Sequence, residues 1–251
     1  MEKIETRYGS FTACSDSSDL RKKYRCPVEY HRNGNVRSLY LQDITEVTLP
    51  AGTFQAELMT FYEDGTIKRL FPLYGQISGY WSVEDEISSA PEYRFTVNGH
   101  RLTMRPQCIY FYPSGKIRSV TLWPNDSITV NTPQGPVTTK LGFEIYENGN
   151  IRSIEPSFGT RYSTEYGEAD PFIIRNHMLH AEDASTGFDE NGNLVRFATF
   201  NTKVEINGRS YKAKDYRSPL IIFPGEGAIG IKGSDDIDLW IDTSDNEVRF
   251  D

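Results

Sequence analysis

His177 and His180, three residues apart and followed by Glu182 and Asp183, are the strongest metal-ligating pattern in the chain. On one helical turn both imidazoles reach a single ion, but no cysteine or third histidine stands at a fixed spacing to complete a tetrahedral set. No metal or other cofactor is therefore expected, and His177 and His180 are only weak candidates. Cys14, Cys26 and His31 form a looser set with the same defect. Asp189, Asn191 and Asn193 imitate the alternating start of a calcium loop, yet Phe200 stands where a bidentate Glu must close it. Turn chemistry accounts for those three residues. Asp235, Asp236, Asp238, Asp242 and Asp245 crowd the tail; they read as a solvated edge that discourages sheet-to-sheet pairing, with weak divalent-cation binding as the alternative. Gly225, Gly227 and Gly230 match a dinucleotide fingerprint, which works only where a helix N-terminus receives the pyrophosphate. The residues from Ile231 onward do not read as a helix, so a glycine-rich turn is expected. No Gly-x-Ser-x-Gly elbow marks a nucleophile.

Chemistry that recurs is of another kind. Tyr62 with Lys68, Tyr112 with Arg118 and Tyr146 with Arg152 occupy matching places in a repeated segment. Set out in a row on one sheet face, such ring and cation pairs hold a peptide, an acidic partner or a sugar. The bland alternative is that each cation packs over its ring within the sheet.

These residues belong to five segments of one pattern: a bulky residue, turn formers ending in Gly, then an aliphatic. They run from Tyr30 to Ser38, Phe61 to Arg69, Phe111 to Ser119, Ile145 to Ser153 and Phe188 to Arg196. Pro113, two before Gly115, suits the first central position of a type I turn, where its φ is already set. Gly then takes the left-handed conformation and forms a bulge. A three-residue loop at all five sites pairs Phe111 with Ile117 and Phe61 with Ile67, and likewise Ile145 with Ile151, Tyr30 with Val36 and Phe188 with Leu194. On the opposite face it sets Tyr110 against Arg118 and Glu144 against Arg152. Asn98-Gly99 and Asn207-Gly208 predict tight two-residue hairpins between the bulged ones, and Pro50 to Gly52 and Pro133 to Gly135 occupy comparable places. Residues 19–24 suggest a short helical turn, and 160–185 a long loop with a helical turn near His177. The tail suggests a closing hairpin around Ser244 to Asn246.

The aromatic pair, polar pair, Gly, aliphatic and basic residue at Phe61, Tyr62, Gly65, Ile67 and Lys68 resemble the variant MORN repeat of toxin–antitoxin-associated bacterial proteins. The same holds at Phe111, Tyr112, Gly115, Ile117 and Arg118, and at Tyr146, Gly149, Ile151 and Arg152. The resemblance covers about a third of the chain, at roughly twice the family's spacing and without its second Gly-rich strand. It implies an elongated, hairpin-built sheet used for contacts rather than catalysis.

The expected fold is all-β: an elongated antiparallel meander of repeated β-hairpins, a MORN-like repeat sheet forming one domain over 1–251. Residues 1–25 would cap it, 26–200 carry the hairpin repeats and 201–251 close it as a C-terminal β cap. Fifteen Tyr and fourteen Phe suit many short strands. A net charge of −8 gives no basic excess for general nucleic-acid binding. No apolar run approaches the roughly 20 residues of a membrane span. The start has no secretory h-region and the cysteines are odd in number, so a cytoplasmic setting with reduced thiols is expected. An open sheet edge would let two copies pair as a homodimer. The functional expectation is a non-catalytic protein that binds another macromolecule through Tyr62, Lys68, Tyr112, Arg118, Tyr146 and Arg152. A hydrolase acting on a saccharide or peptide, with loop-borne His, Asp or Glu, is the alternative.

Overall fold

The computed structural model describes residues 2–15, 26–75, 81–164, 167–171, 180–216, 219–223, 228–232, 237–242 and 247–250. The protein is all-β and built as an antiparallel meander. It divides into two compact units, residues 1–95 with 103–124, and residues 96–102 with 125–251. In the first unit, strands lie side by side in the order Ile117–Leu122, Pro106–Phe111, Ile67–Phe71, Gly52–Phe61, Val36–Leu49 and Val28–Tyr30. In the second the order is Ile237–Asp242, Ala228–Lys232, Leu220–Phe223, Leu194–Thr199, Thr186–Phe188, Ile151–Ile154 and Gly142–Ile145. Short turns join most strands consecutive in each sheet, as antiparallel pairing permits; the connections from Phe71 to Pro106, Ile154 to Thr186 and Thr199 to Leu220 are longer and carry elements of their own.

All five bulged turns form as the sequence predicts. Tyr62 N–H donates to the Thr66 carbonyl at 2.8 Å and Gly65 N–H to the Tyr62 carbonyl at 3.0 Å, and the same two bonds recur from His31, Tyr112, Tyr146 and Asp189. The turn glycines sit at φ between 80° and 89°. Tyr30 pairs with Val36, Phe61 with Ile67, Phe111 with Ile117, Ile145 with Ile151 and Phe188 with Leu194.

One step past these pairs the register departs from expectation. Tyr110 faces Ser119 rather than Arg118, and Glu144 faces Ser153 rather than Arg152. Arg37, Lys68, Arg118, Arg152 and Val195 are each an extra residue bulged out of the returning strand. Apolar spacing explains it. Ile117 and Val120, Ile67 and Leu70, and Ile151 and Ile154 are three apart, whereas one face of a strand repeats every two residues. One inserted residue brings both members of each couple to the core face. The gain is a continuous apolar row across the first unit, Val28–Leu39–Met59–Leu70–Ile109–Val120, in which every residue is buried.

A second set of hairpins alternates with the bulged ones. Asn98 and Gly99, and Asn207 and Gly208, all have positive φ, the mark of the tight turn expected there. Several tips share a clasp that the sequence reading did not anticipate. Thr6 Oγ1 donates to the Gly9 carbonyl at 2.9 Å, and Thr132 to Gly135 and Thr164 to Gly167 at 2.8 Å. Each docked tip skips the bulged turn that follows it in sequence and meets the next one. Tyr8 Oη accepts from Ile67 N–H at 3.0 Å. Asn98 Oδ1 accepts from Ile151 N–H at 2.8 Å while its own N–H donates to the Gly149 carbonyl at 3.0 Å. Pro50 lies against Gly115, and Pro133 against Gly192.

Three further expectations change. Residues 160–185 are not one long loop: Tyr162–Thr164 and Gly167–Ala169 form a small hairpin, and Ala181–Asp183 a 3-10 turn. The tail does not close on itself. Ile237–Asp242 pairs with Ala228–Lys232, whereas Val248–Phe250 joins Val204–Ile206 and Gly167–Ala169 in another sheet. Phe250 there packs edge-on against Phe197, ring centroids 5.8 Å apart. The helix Val83–Ser89 was unforeseen, although Ser82 and Asp85 give it a capping box. Residues 19–24 and 244–246 lie outside the described residues.

Candidate functional site: ring and cation pairs on the bulged turns

Each candidate tyrosine is the residue at which its bulged turn begins, and each candidate cation is the extra residue of its second bulge. Strand geometry therefore brings ring and cation together without help from distant loops. In the first unit Lys68 Nζ lies 5.6 Å from the centroid of the Tyr62 ring, and the Arg118 guanidinium 5.6 Å from that of Tyr112. In the second, the Arg152 guanidinium lies 5.3 Å from the Tyr146 ring. All six side chains are half-buried.

The hydroxyl ends are anchored. Tyr62 Oη donates to the Phe111 carbonyl and Tyr146 Oη to the Phe188 carbonyl, both at 2.8 Å. The His31 ring N–H makes the corresponding bond to the Phe61 carbonyl at 3.0 Å. The ring at the start of a turn thus ties to the carbonyl just before the next turn. Burial, reinforced by the neighbouring Tyr110 hydroxyl, holds the Tyr62 phenol well above the ordinary tyrosine range; burial also raises Tyr146. Both stay protonated donors at neutral pH. Tyr146→Phe keeps the ring and removes the rung, and should lower stability by about 1–2 kcal/mol because the Phe188 carbonyl loses its donor. Urea melts of the two proteins measure it.

The cations have further partners: Arg118 meets Tyr110 and Arg152 meets Glu144 as the sequence suggests, although not as direct cross-strand pairs, and Arg69 on Tyr110 is the contact sequence reasoning missed. The Tyr110 ring has Arg69 at 4.2 Å and Arg118 at 4.8 Å, and Arg118 also donates to the Tyr110 hydroxyl at 3.3 Å. Arg152 pairs at 3.5 Å with Glu144, whose buried carboxylate also accepts from Ser153 Oγ at 3.1 Å. Arg69 and Tyr110 meet only because Ile67–Phe71 pairs with Pro106–Phe111, a neighbour relation no local motif encodes.

Among the described residues the other candidates do not assemble. His177 lies outside the described residues, as do Asp235, Asp236 and Asp245; His180 is half-buried at the head of the 3-10 turn. Among the described residues no three His, Cys, Asp or Glu side chains converge as metal ligands. Asp189 serves its own turn: its carboxylate accepts from the Asn191 and Asn193 N–H groups at 2.9 and 2.8 Å. Those bonds, with one from the Asn193 side chain, hold its pKa below the usual aspartate value. Ala228–Lys232, in the glycine-rich segment, is a strand, so the helix that a dinucleotide site requires is not there. No disulfide joins Cys14, Cys26 and Cys108. Among the described residues no helix is long and apolar enough to cross a membrane. Chemically the pairs offer flat ring faces beside fixed positive charge, which suits binding of planar or anionic groups. Comparison of the chain with models of known families, with curated proteins and with solved structures finds no match.

Proposed function

We propose that this chain is a non-catalytic repeat protein, similar to the variant MORN class, that binds another macromolecule through the ring and cation pairs of its bulged turns. The observation that carries this reading is the recurrence of one arrangement, a cation 5.3–5.6 Å from a tyrosine ring, at Lys68–Tyr62, Arg118–Tyr112 and Arg152–Tyr146. Anchoring of Tyr62 and Tyr146 by their hydroxyls fixes those rings before any partner arrives, which lowers the entropic cost of binding. The partner this favours is a protein with an acidic, aromatic-rich contact surface, since the pairs present charge and ring together. Absence of a disulfide among the three cysteines supports work in a reducing, cytoplasmic setting.

The test is affinity capture from cells that make the protein, using wild type and a Lys68→Gln/Arg118→Gln/Arg152→Gln variant. These changes remove charge and leave the Tyr62 and Tyr146 hydroxyl bonds in place. A partner held by the pairs is lost from the variant by about tenfold or more while circular dichroism shows the variant folded, with a melting temperature lowered by the loss of the Arg152–Glu144 pair. Equal recovery of every partner by both proteins rejects the reading.

A further inference from the structure

In the first unit two cysteines meet opposite a single strand residue. Tyr40 N–H donates to the Pro27 carbonyl at 2.9 Å, and the Tyr40 carbonyl accepts from Cys14 N–H at 2.8 Å. In an antiparallel ladder one opposing residue ordinarily supplies both groups. Pro27 has no N–H to give, and Cys14 supplies it instead. The neighbours on either side agree with this alignment: Ala13 bridges to Leu41, and Val28 pairs with Leu39. Residues 13–14 and 27–30 therefore lie end to end along strand Val36–Leu49, and Cys26 immediately precedes the point where they abut. Residues 15–25 separate the two cysteines in sequence, so the sheet rather than the local chain sets them together. Both positions are anchored. Ala13 N–H donates to the Glu2 carbonyl and Ser15 N–H to Gln42 Oε1, each at 2.9 Å, on the two sides of Cys14. The Cys26 thiol donates to the Val28 carbonyl at 3.1 Å.

We infer that Cys14 and Cys26 are a redox pair that closes as an intramolecular disulfide when glutathione disulfide accumulates. Cys14 and Pro27 share one ladder position, which puts Cys14 and Cys26 one to two residue steps apart, roughly 3–7 Å. A disulfide joins Cα atoms about 4.4–6.8 Å apart. Exposure sets the order of events: Cys26 is exposed and Cys14 half-buried. The Cys26 thiolate attacks one sulfur of glutathione disulfide, forms a mixed disulfide and releases a glutathione thiolate, which takes up the proton the Cys26 thiol gave away. The Cys14 thiolate then attacks Cys26 Sγ, closes the protein disulfide and releases the second glutathione, again with one proton passed on. The dithiol loses two electrons, and one glutathione disulfide is reduced to two thiols. In a reducing setting both cysteines stay thiols, so closure reports a departure from it. Closure also ties the hairpin Lys3–Thr12 to strand Val28–Tyr30, which ends the strand order of the first unit. A terminal strand of three residues opens locally at low cost, and the bond would suppress that opening. Cys108 takes no part: it is 2% exposed, and strands Ile67–Phe71, Gly52–Phe61 and Val36–Leu49 stand between it and the pair.

The experiment incubates the reduced full chain with glutathione and glutathione disulfide at set ratios, traps remaining thiols with N-ethylmaleimide after denaturation, and reads tryptic fragments by mass. Wild type should yield fragments 8–21 and 26–32 joined, lighter than their sum by two hydrogens, with Cys108 alkylated. Dithiothreitol should return all three cysteines to the alkylated form. Cys14→Ser should accumulate Cys26 as the mixed disulfide with glutathione, because the sulfur that resolves it is gone. Cys26→Ser should slow reaction at Cys14 by about tenfold or more, since access limits exchange at a half-buried sulfur. Cys108→Ser should form the bond as wild type does. Hydrogen exchange at the Cys14 and Tyr40 amides should slow by about tenfold on oxidation of wild type. Circular dichroism of each variant establishes that it is folded. Failure of the two fragments to join, a Cys26 bond between two copies as the main product, or unchanged exchange at both amides after closure would each overturn the assignment. Neither cysteine touches the ring and cation pairs, so the charge-removal variant tested by capture should close at the same glutathione ratio as wild type; a shifted ratio in that folded variant would count against an independent site.

Discussion

Phe111→Ala should destabilise the protein by about 3–5 kcal/mol, the cost of emptying the space of a fully enclosed ring. Phe111 has no exposed surface, faces Ile117 across the ladder, and meets Phe54 edge-on with centroids 6.1 Å apart. A domain's whole stability is about 5–15 kcal/mol, so this one change removes a large share of it. In urea the midpoint should fall with little change in slope. An internal control comes from the same place in another turn. Tyr30 starts its segment as Phe111 does, but it lies on the Val28–Tyr30 strand at the end of the sheet order and is 52% exposed. Tyr30→Ala should cost well under 1 kcal/mol, within the range of surface changes. Equal losses at the two positions would mean that the motif, rather than burial, sets the energetics.

What could be read from the chain divides by the range of the interaction. Turns were legible because their chemistry is local: Pro113 presets one dihedral, Gly115 permits another, and Asp189 caps its own loop. Register at the turn followed. The second bulge was written in the same residues, in the three-residue spacing of Ile117 and Val120, but strict alternation was assumed there. The Thr clasp at residues 6–9, 132–135 and 164–167 is equally local and equally readable. Strands of three residues such as Tyr162–Thr164 show too little alternation to be distinguished from loop. Val248–Phe250 was assigned to the wrong partner because its pairing with Val204–Ile206 is long-range and its own side chains fit either hairpin. Rows of side chains that cross several strands were invisible for a related reason. Glu29, Ser38, Thr60 and Arg69 align only after three separate strand pairings are known.

Gly115→Ala should cost more than Gly65→Ala, although the two glycines have nearly the same backbone, φ 84° and 80°. A side chain in the left-handed region costs about 1–2 kcal/mol by itself, and that is the whole expectation for Gly65, which has open space where a Cβ would go. At Gly115 the new Cβ would lie 2.8 Å from Pro50 Cγ, so the hairpin tip resting there must move. Overpacking of that kind adds roughly 1–3 kcal/mol. Thermal or urea melts of the two single variants give the difference. Pro50→Ala then supplies the decisive step. It removes Cγ, so in that background Gly115→Ala should fall back toward the Gly65→Ala value, and the double-mutant cycle should show coupling of about 1 kcal/mol or more. Gly192 with Pro133 repeats the geometry in the second unit, with 2.9 Å from the added Cβ to Pro133 Cγ, and should give the same non-additivity. Additive costs at both pairs would separate tip from turn there and leave the skipped-turn stagger to the Tyr8 and Asn98 hydrogen bonds. Coupling at both would mean that a hairpin tip and a bulged turn about sixty residues further along the chain are held in contact wherever the arrangement recurs, which is the condition for stability to accumulate from one hairpin to the next.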